Sequence, residues 1–247
     1  MGNGKTGQRG YAALIDGDNS IKIVMTIRRI ALTNTEETFS VTFSLIEVPK
    51  TVYFIAREEE LSGIHKTLGG DGNRQTVVLH GLGGIGKTQL TIAYAKRHKA
   101  DYSAIFWLNS KDEGSLKQSF ARVARRILQD HPSASRLSAV KEDSSLDEMV
   151  TAVKRWLDHP KNTRWLIIYD NYDNPRLRSN TDPIAVDLRG YLPEADHGSV
   201  IITTRSSQVK LGHRIKVGKL EDMRDSLKIL SHISGRGNAV DGEIHLR

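Results

Sequence analysis

Residues 76–88 read Thr76-Val77-Val78-Leu79-His80-Gly81-Leu82-Gly83-Gly84-Ile85-Gly86-Lys87-Thr88, a short apolar run passing straight into the spacing G-x-x-x-x-G-K-T. Polyphosphate needs many donors held close to a backbone with no side chain in the way. Gly81, Gly83, Gly84 and Gly86 permit that approach. Lys87 is placed to reach the β- and γ-phosphates, and the Thr88 hydroxyl to ligate Mg²⁺. The context agrees: Val77, Val78 and Leu79 suit a buried parallel strand, and Leu90-Thr91-Ile92-Ala93-Tyr94-Ala95 suits a helix whose N-terminal N–H groups face the anion. A second Gly-Lys-Thr, at 4–6, has no preceding strand or glycine loop and is no phosphate site.

Working outward, strand and helix patterns alternate. Apolar strands are expected at 76–80, 103–109, 164–170, 199–204 and 214–217. Helices are expected at 58–68, 87–99, 114–129, 145–158 and 220–233. In 114–129 the apolar stripe is Leu116, Phe120, Val123 and Ile127; in 145–158 it is Met149, Val153, Trp156 and Leu157. These stripes are core. The alternation predicts an α/β fold, an open and mostly parallel sheet of about five strands flanked by helices. Loops are expected at 131–144 and 174–197. Ahead of this domain, 21–32 and 38–45 alternate apolar and polar residues around Thr33-Asn34-Thr35-Glu36-Glu37, which predicts an N-terminal β-hairpin-like extension. Residues 1–20 are polar and glycine-rich. The expected organisation is an extension at 1–50, a nucleotide-binding domain at 51–235 and a short tail at 236–247.

Composition narrows the classes. With 38% apolar and 26% charged residues, the 247-residue chain reads as an ordinary globular protein. No apolar run reaches the length of a membrane span, and no N-terminal stretch reads as a secretory signal. The absence of cysteine excludes disulfides and thiolate metal sites and agrees with a cytoplasmic location. The net charge of +7 raises the question of nucleic acid, but the basic residues are scattered and no basic run exceeds Arg28-Arg29 or Arg125-Arg126. A solvated basic surface is the preferred account. Met1-Gly2-Asn3-Gly4-Lys5-Thr6 fits the loose N-myristoylation pattern, which is short and often accidental.

Trp165-Leu166-Ile167-Ile168-Tyr169-Asp170 supplies the second part of a nucleotide site, a strand ending in a carboxylate that would support Mg²⁺. The next residue is Asn171, an amide that accepts no proton where an acidic water-activating group would be needed. Asp170 and Asp173 are the only catalytic candidates, and hydrolysis is expected to be slow or absent. The strand Ser199–Thr204 brings Thr204 and Arg205 to the same rim of the sheet, where the Arg205 fork could read a γ-phosphate.

In this order and spacing the motifs resemble the NB-ARC module of STAND-type signalling NTPases, with the closest likeness to fungal NOD-like receptor proteins. The runs that carry the resemblance are His80–Gln89, Phe106-Trp107-Leu108-Asn109, Tyr169-Asp170-Asn171-Tyr172-Asp173-Asn174-Pro175 and Thr203-Thr204-Arg205-Ser206-Ser207. Tyr53–Leu61 resembles the segment leading into this module. There an arginine-containing turn lies near the adenine, here Arg57, with Ala56 standing where the family carries glycine. The resemblance implies ADP/ATP and Mg²⁺ as ligands. It assigns Gly81, Gly83, Gly84, Ile85, Gly86, Lys87, Thr88, Gln89, Arg57 and Arg205 to the nucleotide, and Thr88 and Asp170 to the metal. It further implies a switch from an ADP-bound resting state to an ATP-bound oligomer, formed with itself or with related NB-ARC chains. The family's helical lid, with its Gly-Leu-Pro-type motif, and its winged-helix subdomain are not recognised after residue 237. The chain therefore reads as a nucleotide-binding core without its switch. The competing expectations are an active ATPase or kinase on another substrate, a nucleic-acid-dependent ATPase, and a remnant that binds no nucleotide.

Overall fold

The computed structural model describes residues 13–15, 21–23, 39–43, 54, 57–70, 72–132, 134, 137, 144–178 and 180–220. The chain divides into two compact units, 1–38 and 39–247. In the first, β1 (Ala13–Ile15) pairs antiparallel with β2 (Ile21–Ile23), so a hairpin is present. Its partners differ from the expected pair, because β2 joins 13–15 and not 38–45. The expected helix at 220–233 and the tail at 236–247 lie outside the described residues.

The second unit is built on a five-stranded parallel sheet. Its elements are α1 (Glu58–Leu68), β3 (Gln75–His80), α2 (Lys87–Arg97), β4 (Ala104–Asn109), α3 (Glu113–Asp130), α4 (Leu146–Leu157), β5 (Trp165–Asp170), β6 (Ser199–Thr204) and β7 (His213–Lys216). The strand order is β4-β5-β6-β3-β7. The carboxylate strand β5 is therefore separated from the phosphate-loop strand β3 by β6. The register Val77↔Ile201 and Ile168↔Ile201 aligns the carboxyl ends of all three.

Both faces of the sheet are covered, which is why its central strands read as continuous apolar runs. Val78, Phe106, Leu108, Ile167, Tyr169, Val200 and Ile202 meet α3 and α4 in one core. Val77, Leu79, Ile105, Leu166, Ile168 and Ile201 meet α1 and α2 in the other. Residue parity along each strand decides the face. Phe39 and Val41, from the apolar stretch expected as a hairpin strand, are instead buried in the first core. There the Phe39 ring packs edge-on to Trp156 at 5.5 Å. Their apolar area finds a better partner there than a lone hairpin could offer.

Helix boundaries follow local chemistry. Asp112 caps α3 by accepting from the Ser115 N–H at 2.7 Å. Ser145 and Glu148 form a reciprocal capping box at the start of α4. The start of α2 differs from both: its N-cap is Gly86 at φ 97°, with no side-chain cap and no acidic residue in the first turn. That leaves the first N–H groups of α2 without the carboxylate or hydroxyl that satisfies α3 and α4.

Candidate functional site

The loop between β3 and α2 curls around the Lys87 side chain. Lys87 Nζ donates to the carbonyls of Gly81 and Leu82, each at 2.9 Å. Burial pushes its pKa down, the nearby Arg205 adds to this, and Asp173 and Asp170 oppose it. Gly81 sits so close to β7 that a Cβ there would lie 2.5 Å from the Val217 carbonyl oxygen. Gly84 and Gly86 adopt φ of 73° and 97°, in the left-handed region that favours glycine.

Asp170 ends β5 beneath this loop. Its Oδ1 accepts from the Thr88 hydroxyl at 3.0 Å and from the Thr203 hydroxyl at 2.5 Å. Burial raises the Asp170 pKa, and the hydrogen bonds from Thr203 and Thr88 pull it back. A hydroxyl and a carboxylate converging within 3.0 Å form a hard-oxygen donor pair, the kind Mg²⁺ takes alongside phosphate oxygens and water. Thr88 and Asp170 thus fit the metal role assigned to them.

Asp173 and Arg205 close the opposite wall. Asp173 Oδ1 accepts the Arg205 backbone N–H at 2.7 Å, and Oδ2 lies 2.9 Å from Arg205 Nε. The guanidinium rests against the loop, with its Cζ 3.2 Å from where a Cβ on Gly83 would be. The cavity between these groups measures about 310 Å³. Gly83, Gly84, Gly86, Lys87, Thr88, Gln89, Asp173 and Arg205, all named from the sequence, line it. Gly81 and Ile85 shape the loop from behind, Ile85 packing on the α1/α2 core.

Arg57 stands outside the cavity wall. It is the N-cap of α1 at φ 76°, and its side chain is only 8% exposed. Its Nη2 donates to the Ile85 carbonyl at 2.8 Å and the Gly218 carbonyl at 3.1 Å, while Nη1 pairs with Glu60 Oε1 at 2.9 Å. It ties the phosphate loop to the chain leaving β7.

Two lining residues had been given no binding role, Asn171 and Thr203. Thr204, expected at the rim, is fully buried. Parity along β6 explains the exchange: Thr203 shares a face with Ile201 on the α2 side, and Thr204 shares the other face with Ile202. Asn171 adopts φ 63°, which Asn tolerates, and donates its N–H to Thr203 Oγ1 at 3.0 Å.

A parallel sheet with G-x-x-x-x-G-K-T between β3 and α2, and a carboxylate at the end of a strand one removed, defines a P-loop NTPase fold. The model of the NB-ARC domain matches residues 57–238, and the chain belongs to the NB-ARC family. It is similar to a nucleotide-binding leucine-rich repeat (NLR)-like protein of Hyaloscypha variabilis, 27% identical over 164 residues. That match takes in 62% of this chain and 16% of the relative, so the chain spans about one sixth of the relative's length. Among solved structures it is similar to Cdc6p from Pyrobaculum aerophilum, with a TM-score of 0.45, 15% identity and coverage of 72% of this chain and 50% of that one. The ORC2 protein of Aeropyrum pernix gives a TM-score of 0.45 with 12% identity, covering 81% of this chain and 56% of that one. No helix among the described residues is long and apolar enough to cross a membrane.

Proposed function

We propose that the chain binds ADP and ATP with Mg²⁺ as the nucleotide-binding module of an NLR-like signalling NTPase, of the innate-immunity or incompatibility type. The observation that carries this reading is the convergence of Lys87, the Thr88–Asp170 pair and the Asp173–Arg205 pair on one cavity of about 310 Å³. Lys87 and the N–H groups of the loop hold the β-phosphate. Thr88 and Asp170 hold Mg²⁺, which when bound offsets phosphate charge. Arg205 reads the γ-phosphate, and Arg57 keeps the loop in its binding shape. The module acts in the cytoplasm and associates with copies of itself or with related NB-ARC chains.

Hydrolysis is slow or absent in the isolated chain. Asn171 has no basic atom to take a proton from water, and both Asp173 oxygens are engaged by Arg205. The competing reading, an active ATPase, rests on Asp173 reaching the cavity, and it requires Arg205 to release that carboxylate.

Calorimetric titration of the purified chain with Mg²⁺–ADP tests the proposal. Micromolar or tighter binding at one site, weakened by about 30-fold or more in Lys87→Ala, is expected. No heat from a folded sample at two temperatures overturns it. Lys87-dependent turnover of several per second, the rate range of ordinary enzymes, would put the ATPase reading in its place.

A further inference from the structure

α2 runs from the phosphate loop to the other end of the parallel sheet, where it stops beside α1. Three metal-ligating side chains gather at that end. His65 lies in the last turn of α1, His98 is the C-cap of α2, and Asp101 closes the short 3-10 helix Lys99–Asp101. Their donor atoms all lie within 4.8 Å of one another. The two imidazoles are stacked, with centroids 4.1 Å apart and planes 17° apart, and the Tyr94 ring backs both. His98 Nδ1 lies 3.0 Å from Asp101 Oδ2. A cavity of about 260 Å³ opens beside the cluster, with His65 and Asp101 in its wall and the starts of β5 and β6 behind it. The nucleotide reading uses none of these groups.

We propose that His65, His98 and Asp101 bind a transition-metal dication of the Zn²⁺ class. Two imidazoles and one carboxylate form a donor set of intermediate softness, suited to Zn²⁺ and poorly suited to Mg²⁺ or Ca²⁺. Three protein ligands leave a fourth position for water. Zinc bonds of the usual length put tetrahedral donors about 3.3 Å apart. The present spread closes to that by side-chain rotation, because His65 and Asp101 are exposed. The carbonyl ends of α1 and α2 both face this place and favour a positive charge. Arg164 is one cation lining the adjoining cavity, and its guanidinium already donates to the carbonyls of Ala100 and Asp101; Lys66 and Lys99 adjoin the cluster in sequence. Stacked rings point their nitrogens side by side and not at one point, so binding turns one imidazole out of the stack. The metal would staple α1 to α2, the two helices whose other ends carry Arg57 and Lys87.

The test is titration of the chelator-treated full chain with ZnCl₂, without nucleotide, read by calorimetry and by competition with a chromophoric chelator. One Zn²⁺ per chain with micromolar affinity is expected, together with a Zn²⁺-dependent rise in Tm. His65→Ala and Asp101→Asn should each weaken binding by about tenfold or more, as loss of one ligand in three demands. Both positions are exposed, so circular dichroism should show the native helix content in each variant. His213→Ala, at an exposed histidine on β7, should bind as the unsubstituted chain does. Absence of saturable binding overturns the proposal and leaves the cluster as a helix-end cap. So does binding that neither substitution weakens, or that the His213 variant loses.

Discussion

Asp173 holds Arg205 at two points, accepting its backbone N–H at 2.7 Å and facing its Nε at 2.9 Å. The guanidinium is 67% exposed and the carboxylate 30%, so the charged contact is worth little in water. Its value lies in position. It parks the fork against Gly83, over the loop, where a third phosphate could exchange for the carboxylate.

That exchange predicts how the two nucleotides are told apart. Asp173→Asn keeps an acceptor for the Arg205 N–H but removes the competing charge. It should raise affinity for ATP relative to ADP several-fold. Arg205→Ala should weaken ATP by about tenfold, the loss of one charge-assisted contact, and leave ADP nearly unchanged. Parallel titrations with Mg²⁺–ADP and a non-hydrolysable ATP analogue would read both ratios. Equal effects on the two nucleotides would remove Arg205 from the γ-phosphate role.

Lys87 donates to two loop carbonyls and is positioned to transfer those bonds to phosphate oxygens. Lys87→Ala should weaken Mg²⁺–ADP binding by about 30-fold or more, equivalent to roughly 2 kcal/mol. Far-UV circular dichroism should stay unchanged, because the loop glycines and Arg57 still shape the turn.

Asp170 gives a pH signature. Its pKa is raised in the fold, so ionising it opposes folding. Its favourable contribution is complete below the ordinary carboxyl range and is lost as pH rises through the folded value. Asp170→Asn removes that penalty while Oδ1 can still accept from Thr88 and Thr203. Without Mg²⁺ or nucleotide, the variant should show a higher urea midpoint at pH 8, and the gap should narrow towards pH 4. With nucleotide, it should lose its response to Mg²⁺.

Gly198 separates stability from binding. It sits at φ 83° just before β6, and a Cβ there would lie within 2.5 Å of three Trp165 ring atoms. Trp165 is fully buried and donates its indole N–H to the Leu157 carbonyl at 2.9 Å, so it has no room to yield. Gly198→Ala should cost about 3 kcal/mol or more in urea unfolding, from strain and overpacking together.

The order of strands and helices was legible from periodicity, because elements buried on both sides write continuous apolar runs and helices write stripes. Lys87, Thr88 and Asp170 were legible because phosphate and magnesium chemistry demand those residue types at those places. Thr203 was one residue from legible: counting parity from Ile201 would have turned it, and not Thr204, towards the site. The N-terminal segment misled because its alternation suits a hairpin strand and a core-covering segment equally. Phe39 and Val41 chose Trp156 and its neighbours for reasons that lie a hundred residues away in sequence.

The sequence by itself determined the alternation of elements, the phosphate loop and the strand-end carboxylate, since each depends on residues close together in the chain. Tertiary structure alone decided that Asp173 grips Arg205, that Arg57 ties the loop to the exit of β7, and that His65 meets His98 and Asp101. These contacts join segments from 28 to 161 residues apart, or strands and helices that become neighbours only when the sheet closes its order. Side-chain charges carry no information about such distant partners until burial of both faces of the sheet brings them together.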